Sequence, residues 1–267
     1  MQSQPPQPPN GKIFAPHTAA LAEKTKARAA AKAQQVAEPF APAFAYPAPQ
    51  LPHTGTKSGV PRIVPYSGNI IFIGASTGGT EAIREVLTRL PANIPPILMT
   101  QHMPEMFTPT FAARLDSLSA MHVVEAQQGE LIEPGVAYLA PGHSHLLIKK
   151  MDHGGYICEL ARSEPVNRHR PSVDVLFHSA AEVVGRLAIG VLLTGMGKDG
   201  AVGMLHMMKS GAWTIAQDQA SCVVYGMPRE AFLLGGVKEV VPITEIASRV
   251  LLRLGGGFHG RIESARV

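Results

Sequence analysis

Short apolar runs alternate along residues 70–254 with longer segments in which apolar residues recur every three or four positions. The first run, residues 70–73, is too short for a helix and stops at Gly74, which is typical of a buried strand. Residues 79–90 have their apolar positions at helical spacing, so these side chains share one face. Repetition of this strand-and-helix pair predicts a mainly parallel sheet with helices on both faces.

The same periodicities place the remaining elements of the predicted α/β fold. Strands are predicted at residues 70–73, 97–100, 122–125, 188–193, 213–216 and 239–241. Helices are predicted at about residues 79–90, 107–118, 173–184, 200–210, 229–233 and 243–254. Three further short runs, at residues 137–140, 145–149 and 156–160, are separated by Pro-Gly and Gly-Gly turn signals that predict antiparallel hairpins. The expected architecture is a doubly wound, mainly parallel sheet with an antiparallel hairpin insertion.

Residues 1–66 have a different composition, rich in proline and alanine. This composition predicts a largely disordered basic tail or linker, followed by a folded domain at residues 67–267. The formal net charge of the chain is +4, and residues 1–60 alone carry that excess, which leaves the remainder formally neutral. No basic surface is therefore predicted on the domain, and we expect no nucleic-acid partner.

Composition limits the class of protein further. The apolar fraction of 45% is sufficient for a sizeable core. No apolar run reaches the length that spans a bilayer, so we expect no direct membrane insertion. The two cysteines, Cys158 and Cys222, lack the spacing of a disulfide framework or a metal site. These features predict a cytoplasmic protein that uses neither a metal nor a cofactor.

Ser76 lies between small residues at the first predicted strand-to-helix turn. A phosphate site is one interpretation, but the turn lacks the P-loop lysine and the G-x-G-x-x-G spacing. A dinucleotide site would also place an acid after the next strand, where Gln101 and His102 stand instead. A hydrolase elbow is a second interpretation, although the turn departs from G-x-S-x-G. A simple helix cap is a third, and the turn alone leaves all three open.

Ser76, His102 and Asp199 each follow a predicted strand of the same sheet. Because the carboxyl ends of parallel strands meet at one sheet edge, we expect the three side chains to lie close together. A nucleophile, a base and an acid that orients the base form a hydrolytic triad. Each residue could instead be an ordinary loop or cap residue, but their joint placement favours a hydrolase.

Five segments carry a family resemblance: GASTGGTE at 74–81, QHMP at 101–104, PVNRHRPSVD at 165–174, LTGMGKDG at 193–200 and ASCVVYGMPR at 220–229. Together they resemble the catalytic domain of the chemotaxis protein-glutamate methylesterase (CheB) family, over about residues 69–254. The resemblance implies that Ser76 is the nucleophile, His102 the base and Asp199 its orienting acid. It also implies that the backbone N–H of Met196 helps to hold the oxyanion, with Thr77 beside the site.

The polar loop before the helix predicted at residue 173 contains Asn167, Arg168, His169 and Arg170. Polar loops next to an active site often contact the substrate, so this loop is predicted to line the substrate cleft. The alternative is a helix-entry loop with its arginines on the surface.

The activity that the resemblance implies is hydrolysis of glutamate methyl esters on methyl-accepting chemotaxis receptors, as part of adaptation in bacterial chemotaxis. Deamidation of receptor glutamines to glutamates is implied as well. A non-catalytic adaptor that binds receptors through the same fold is the alternative. Most family members carry an N-terminal receiver domain, and residues 1–66 have no pattern of this kind. The sequence therefore leads us to expect a catalytic domain without a receiver domain, either as a truncated form or as a stand-alone esterase, whose activity is indifferent to phosphodonors.

Overall fold

The computed structural model describes residues 66–255, and seven of its strands form one parallel sheet. Except for Tyr66, the predicted tail lies outside the described residues. The strands are β1 (Ile70–Ala75), β2 (Ile97–Gln101), β3 (His122–Glu125), β4 (Val136–Leu139), β5 (His145–Lys150), β6 (Tyr156–Ala161), β7 (Ala188–Leu192), β8 (Trp213–Gln217) and β9 (Glu239–Val241). Strands β5 and β6 form a separate antiparallel hairpin.

The helices between 66 and 255 are α1 (Gly79–Leu87), α2 (Thr108–Leu118), α3 (Val173–Val183), α4 (Ala201–Lys209), α5 (Met227–Leu233) and α6 (Ile243–Gly255). Two short 3₁₀ helices, Glu105–Phe107 and Gly185–Leu187, precede α2 and β7. The longest of these helices, α6, has 13 residues, whereas a bilayer requires about 20. Within the described part of the chain, no helix is both long and apolar enough to cross a membrane.

Alternate residues of β1 enter two different cores, one on each face of the sheet. Ile71 and Ile73 pack in the cluster that contains the apolar faces of α1, α2 and α6. Ile70 and Phe72 belong to the other cluster, which contains α3, α4, α5 and the β5–β6 hairpin. Each buried side chain of this size contributes roughly 1.5–3 kcal/mol. The predicted doubly wound sheet with helices on both faces is confirmed.

The strand order β3-β4-β2-β1-β7-β8-β9 determines where a site can form. From β1 the chain proceeds toward one edge of the sheet through β2, and it later returns to pair β7 with the other side of β1. Ligand sites in such sheets lie at the carboxyl ends of the strands, next to this change in direction. The loops that follow β1, β2 and β7 therefore meet at one place.

The sequence-based prediction for residues 137–140 is wrong in its pairing. These residues were expected in an antiparallel hairpin, but β4 pairs in parallel with β2 and β3 inside the main sheet. Only the pairing of β5 with β6 is antiparallel among the three runs. Turn residues mark where the chain reverses, but they do not determine which distant strand supplies the hydrogen-bond partner. The other predicted element bounds differ from the observed ones by up to three residues.

Candidate active site

The turn after β1 presents Ser76 at the start of α1. Gly78 ends this turn with a φ of +80°, a left-handed conformation that favours glycine. A Cβ atom at Gly78 would also lie 2.6 Å from the side chain of Val223. The loop after β7 also comes close to the serine, since a Cβ atom at Gly195 would lie 2.8 Å from the Cβ of Ser76. Glycines at these positions let three loops approach the serine.

His102 directly follows β2, the parallel neighbour of β1. Its backbone N–H donates to the carbonyl of Ala75 at 3.1 Å, which continues the sheet pairing by one residue. The side-chain amide of Gln101 donates to the carbonyl oxygens of Ser76 and His102, at 3.0 and 3.1 Å. Gln101 thus connects the two strand ends that carry the nucleophile and the base.

Ser76, His102 and Asp199 form a continuous hydrogen-bonded chain. The Oγ of Ser76 lies 3.1 Å from Nδ1 of His102, and Nε2 of His102 lies 2.7 Å from Oδ2 of Asp199. Because an ionised carboxylate can only accept, the imidazole carries its hydrogen on Nε2 and leaves Nδ1 free to take the serine proton. The ring is therefore oriented opposite to the serine protease arrangement, in which Nε2 faces the serine.

The carboxylate of Asp199 is buried, with 1% of its side chain exposed, and it accepts hydrogen bonds from both side chains and backbone. Burial by itself raises its pKa, but hydrogen bonds outweigh burial and hold the pKa at about 2. Asp199 is therefore ionised at any pH where the protein would work. Its donors are His102 Nε2, Asn167 Nδ2, Ser172 Oγ, and the backbone N–H groups of Val173 and Asp174.

A second buried carboxylate, Asp174, lies next to Asp199 in the first turn of α3. The amide nitrogen of Asn167 donates to both, at 2.7 Å to Asp174 and 2.8 Å to Asp199. Asp174 also accepts from the backbone N–H of Gly203 at 2.7 Å. Burial, together with the charge of Asp199, raises the pKa of Asp174, while the hydrogen bonds from Gly203 and Asn167 oppose that rise. Asn167 therefore connects the two acids.

The imidazole of His169 stacks on the imidazole of His102. The ring centroids are 3.7 Å apart and the planes differ by 12°. Burial lowers the pKa of His169, and proximity to His102 lowers it further, whereas Asp199 acts in the opposite direction. His169 is consequently neutral near pH 7.

Met196, the predicted oxyanion residue, and Thr77, predicted to lie beside the site, are both on loops next to Ser76. Thr77 follows the serine, and its carbonyl accepts from the hydroxyl of Thr194 at 2.9 Å. Met196 follows Gly195, whose backbone closely approaches Ser76, and Met196 is 72% exposed. Within the described residues, the backbone N–H groups of Thr77 and Met196 have no hydrogen-bond acceptor. Both are free to donate to a developing oxyanion.

The four residues of the predicted substrate cleft separate into two pairs. Asn167 and His169 contact the triad, as described above. Arg170 donates to the backbone carbonyl of Ser163 at 3.0 Å, and Arg168 is exposed with a positive φ of 68°. The geometry thus places the first pair in contact with the triad and the second pair at the surface of the same loop.

Sequence reasoning missed several residues that hold the triad. Gln101 is next to His102 in sequence, but a single glutamine gives no signal of its two backbone contacts. Ser172 and Asp174 stand at the predicted start of a helix, where serine and aspartate usually cap that helix. Their contacts with Asp199 instead depend on how closely α3 approaches the loop after β7. Across residues 66–255, no group of three or more metal-ligating side chains is present.

Comparison with known proteins matches the part of the chain that contains Ser76, His102 and Asp199. The family model described as CheB methylesterase matches residues 71–250. The crystal structure of the Thermotoga maritima CheB methylesterase catalytic domain superposes with a TM-score of 0.69 and 41% sequence identity. That match covers 70% of this chain and 100% of the Thermotoga chain.

Two curated relatives extend the comparison. The protein-glutamate methylesterase/protein-glutamine glutaminase 1 of Dechloromonas aromatica is 53% identical over 246 residues, covering 92% of this chain and 68% of the relative. The protein-glutamate methylesterase/protein-glutamine glutaminase of Nitrosomonas europaea is 62% identical over 187 residues, covering 70% of this chain and 52% of the relative. The chain thus spans between about half and two thirds of the length of these relatives.

Proposed function

Because the chain belongs to the CheB methylesterase family, we propose that it is a serine hydrolase that removes methyl groups from glutamate methyl esters on chemoreceptors. Deamidation of receptor glutamines by the same site is part of the proposal. Both reactions are acyl transfers at a side-chain carbonyl, and both give glutamate. The names of the relatives, which join a methylesterase to a glutaminase, support this pairing of activities.

The observation that carries the proposal is the hydrogen-bonded chain from Ser76 through His102 to the ionised Asp199. In the acylation step, Oγ of Ser76 attacks the ester carbonyl carbon while Nδ1 of His102 accepts the hydroxyl proton. Asp199 stabilises the imidazolium that forms. The carbonyl oxygen becomes negatively charged, and the N–H groups of Thr77 and Met196 are the proposed donors to it.

The second half of the reaction reverses these roles. As the C=O bond forms again, the leaving methoxide takes the proton from His102 and departs as methanol, which leaves a γ-glutamyl ester on Ser76. Nδ1 then accepts a proton from water as the water oxygen attacks this ester, and Ser76 is released with its proton restored. Glutamate is the product. A glutamine substrate follows the same steps, with ammonia as the leaving group.

The exposure of the site suits a substrate that is a side chain on a large protein. The loops flanking Ser76 carry Met196 and Val223, whose exposed fractions are 72% and 68%. The turn of Ser76 therefore opens onto the protein surface at the carboxyl edge of the sheet. We propose chemoreceptors as the particular protein substrate because of the family resemblance.

Methanol release from methylated receptor fragments tests the proposal. We expect release by the unaltered protein and a loss of roughly 10⁶-fold in kcat for Ser76→Ala, since the nucleophile is removed. Ser248→Ala, an exposed serine on α6, is the matched control and should retain full activity. Receptor binding without methanol release by the unaltered protein would instead support the adaptor alternative.

A further inference from the structure

His102 is held by hydrogen bonds at only its edges. The contacts to Ser76 and Asp199 involve its two ring nitrogens, so both lie near the plane of the imidazole. Contacts in the ring plane prevent the ring from sliding within that plane. They only weakly oppose rotation of the ring about the line that joins the two contacts. A base that tilts loses its alignment with the serine hydroxyl, and misplacement of a reacting group by about 1 Å costs up to about a hundredfold in rate. The ring therefore requires a contact on its face.

His169 supplies that contact. Its ring lies 3.7 Å from the centroid of His102 and is nearly parallel to it, at 12°. We propose that His169 is a positioning residue of the hydrolase, whose flat ring keeps the imidazole of His102 aligned between Ser76 and Asp199. This inference rests on the proposed function because its kinetic test measures the proposed hydrolysis. The stacking of the two rings is observed independently of that function.

The backbone around His169 is built to deliver this ring. Val166 and His169 exchange two backbone hydrogen bonds, of 3.0 and 2.9 Å, which close a two-residue turn. Both central residues, Asn167 and Arg168, have positive φ angles of 52° and 68°, as a type I′ turn requires. Arginine is unfavourable in this conformation, and strain of this kind concentrates at functional sites.

The same turn holds the acid of the triad as well as the base. Asn167, in the turn, donates to Asp199 at 2.8 Å, while His169, at its end, covers His102. Burial and the proximity of His102 lower the pKa of His169, which favours its neutral ring. A neutral aromatic ring therefore suffices for the proposed role, and proton transfer by His169 is not needed.

The test compares His169→Ala, which removes the ring, with His169→Phe, which keeps a flat ring without imidazole chemistry. His153→Ala, an exposed histidine in the β5–β6 loop, is the control. We expect kcat of His169→Ala to fall by about tenfold to a hundredfold with little change in KM, because alignment of the base is lost. His169→Phe should recover most of that loss, and the control should match the unaltered protein. Thermal unfolding of each variant separates these effects from loss of the fold.

Two substrates and one spectroscopic measurement keep the outcomes distinct. Kinetics are measured on methylated receptor fragments and on p-nitrophenyl acetate, which needs no receptor recognition. If the protein hydrolyses p-nitrophenyl acetate through Ser76 but releases no methanol from receptor fragments, the proposed function is contradicted. The kcat values of the His169 variants on p-nitrophenyl acetate would still decide the role of His169. NMR signals of the His102 ring protons require no activity, and they should move downfield in His169→Ala because the ring current of the stack is lost. Unchanged signals, an unchanged kcat in His169→Ala, or a His169→Phe as impaired as His169→Ala would overturn the inference.

Discussion

The carboxylate of Asp199 accepts hydrogen bonds from five groups, and its replacement by an amide therefore has two effects. In Asp199→Asn, the side-chain NH₂ must face at least one of these donors, which leaves a buried N–H group without an acceptor. We expect kcat to fall by about 10⁴-fold, less than for Ser76→Ala, because the serine and histidine remain. The free energy of unfolding should fall by about 1–3 kcal/mol for the unsatisfied group.

Steady-state kinetics and denaturant unfolding measure these two losses separately. Asp152→Asn, an exposed aspartate in the β5–β6 loop, is the matched control and should change neither quantity. A kcat for Asp199→Asn near that of the unaltered protein would contradict the assignment of Asp199 as the orienting acid.

The pH dependence should separate the base from the acid. Because the pKa of Asp199 is about 2 in the folded state and roughly 3.9 in an unfolded chain, its ionised form stabilises the fold above about pH 4. That stabilisation is lost only as the pH falls through about 4 toward 2. A decline of kcat/KM on the acidic side of neutrality should therefore come from the catalytic base and not from unfolding through Asp199.

Asp174 is a further group beside the triad that could take up a proton as the pH falls, since burial raises its pKa. The variant Asp174→Asn removes this possibility. We expect its kcat/KM to decline over the same pH range as that of the unaltered protein, as measured by a pH–rate profile. A profile that loses its acidic limb in Asp174→Asn would assign the limb to Asp174 instead of His102.

Sequence reasoning could place Ser76, His102 and Asp199 together because each follows a strand, and strand ends are predicted by local apolar patterns. The partners of Asp199 could not be predicted in this way. Ser172 lies 27 residues before Asp199, and its contact depends on the packing of α3 against β1, where Gly74 permits close approach to Val173. Such contacts follow from three-dimensional packing, and no local periodicity encodes them.

At the scale of the elements, the strand-to-helix turn of Ser76 depends on Gly78. Gly78→Ala would place a side chain both at a φ of +80° and within 2.6 Å of Val223. Gly129 has a nearly equal φ of +76°, but a Cβ atom there would meet no atom within 4 Å. Gly129→Ala therefore carries only the conformational cost, about 1 kcal/mol, and serves as the matched control.

We expect Gly78→Ala to reduce both stability and kcat, because the turn must move to relieve the contact with Val223. Gly129→Ala should reduce stability alone. Denaturant unfolding and the hydrolysis rate distinguish the two variants. Equal kinetic effects of the two substitutions would show that crowding at the turn has no influence on Ser76.

Strand β4 marks the limit of sequence reasoning at this scale. Its residues were recognised as a strand, but β4 pairs in parallel with β2, as in the pairing of Ile97 with Ala137, about 40 residues apart in the chain. Runs of four apolar residues specify extended structure, whereas the partner is chosen by the packing of the whole sheet. The β5–β6 hairpin was predicted correctly because a short turn joins its strands, so pairing is local.

At the scale of the whole molecule, strand order converts three distant segments into one site. The strands β2, β1 and β7 are neighbours, and the loops after their carboxyl ends carry His102, Ser76 and Asp199, with the imidazole of His102 lying between the other two side chains. The helix α3, which precedes β7 in the chain, begins at this edge, and its first two backbone N–H groups donate to Asp199. The site is therefore a property of the doubly wound topology, with the acid stabilised by a helix N-terminus.

The last prediction concerns how much of the chain the site requires. Among the described residues, the buried members of both hydrophobic clusters and the triad contacts lie between Ile70 and Leu254, and Tyr66 packs against the second cluster. We therefore expect a chain that begins at Tyr66 to fold and to hydrolyse p-nitrophenyl acetate with the kcat of the whole chain. Its melting temperature should change by no more than a few degrees, since the buried apolar area that stabilises the domain is retained. A large fall in either quantity would show that residues 1–65, predicted from composition to be a tail or linker, contribute to the catalytic domain.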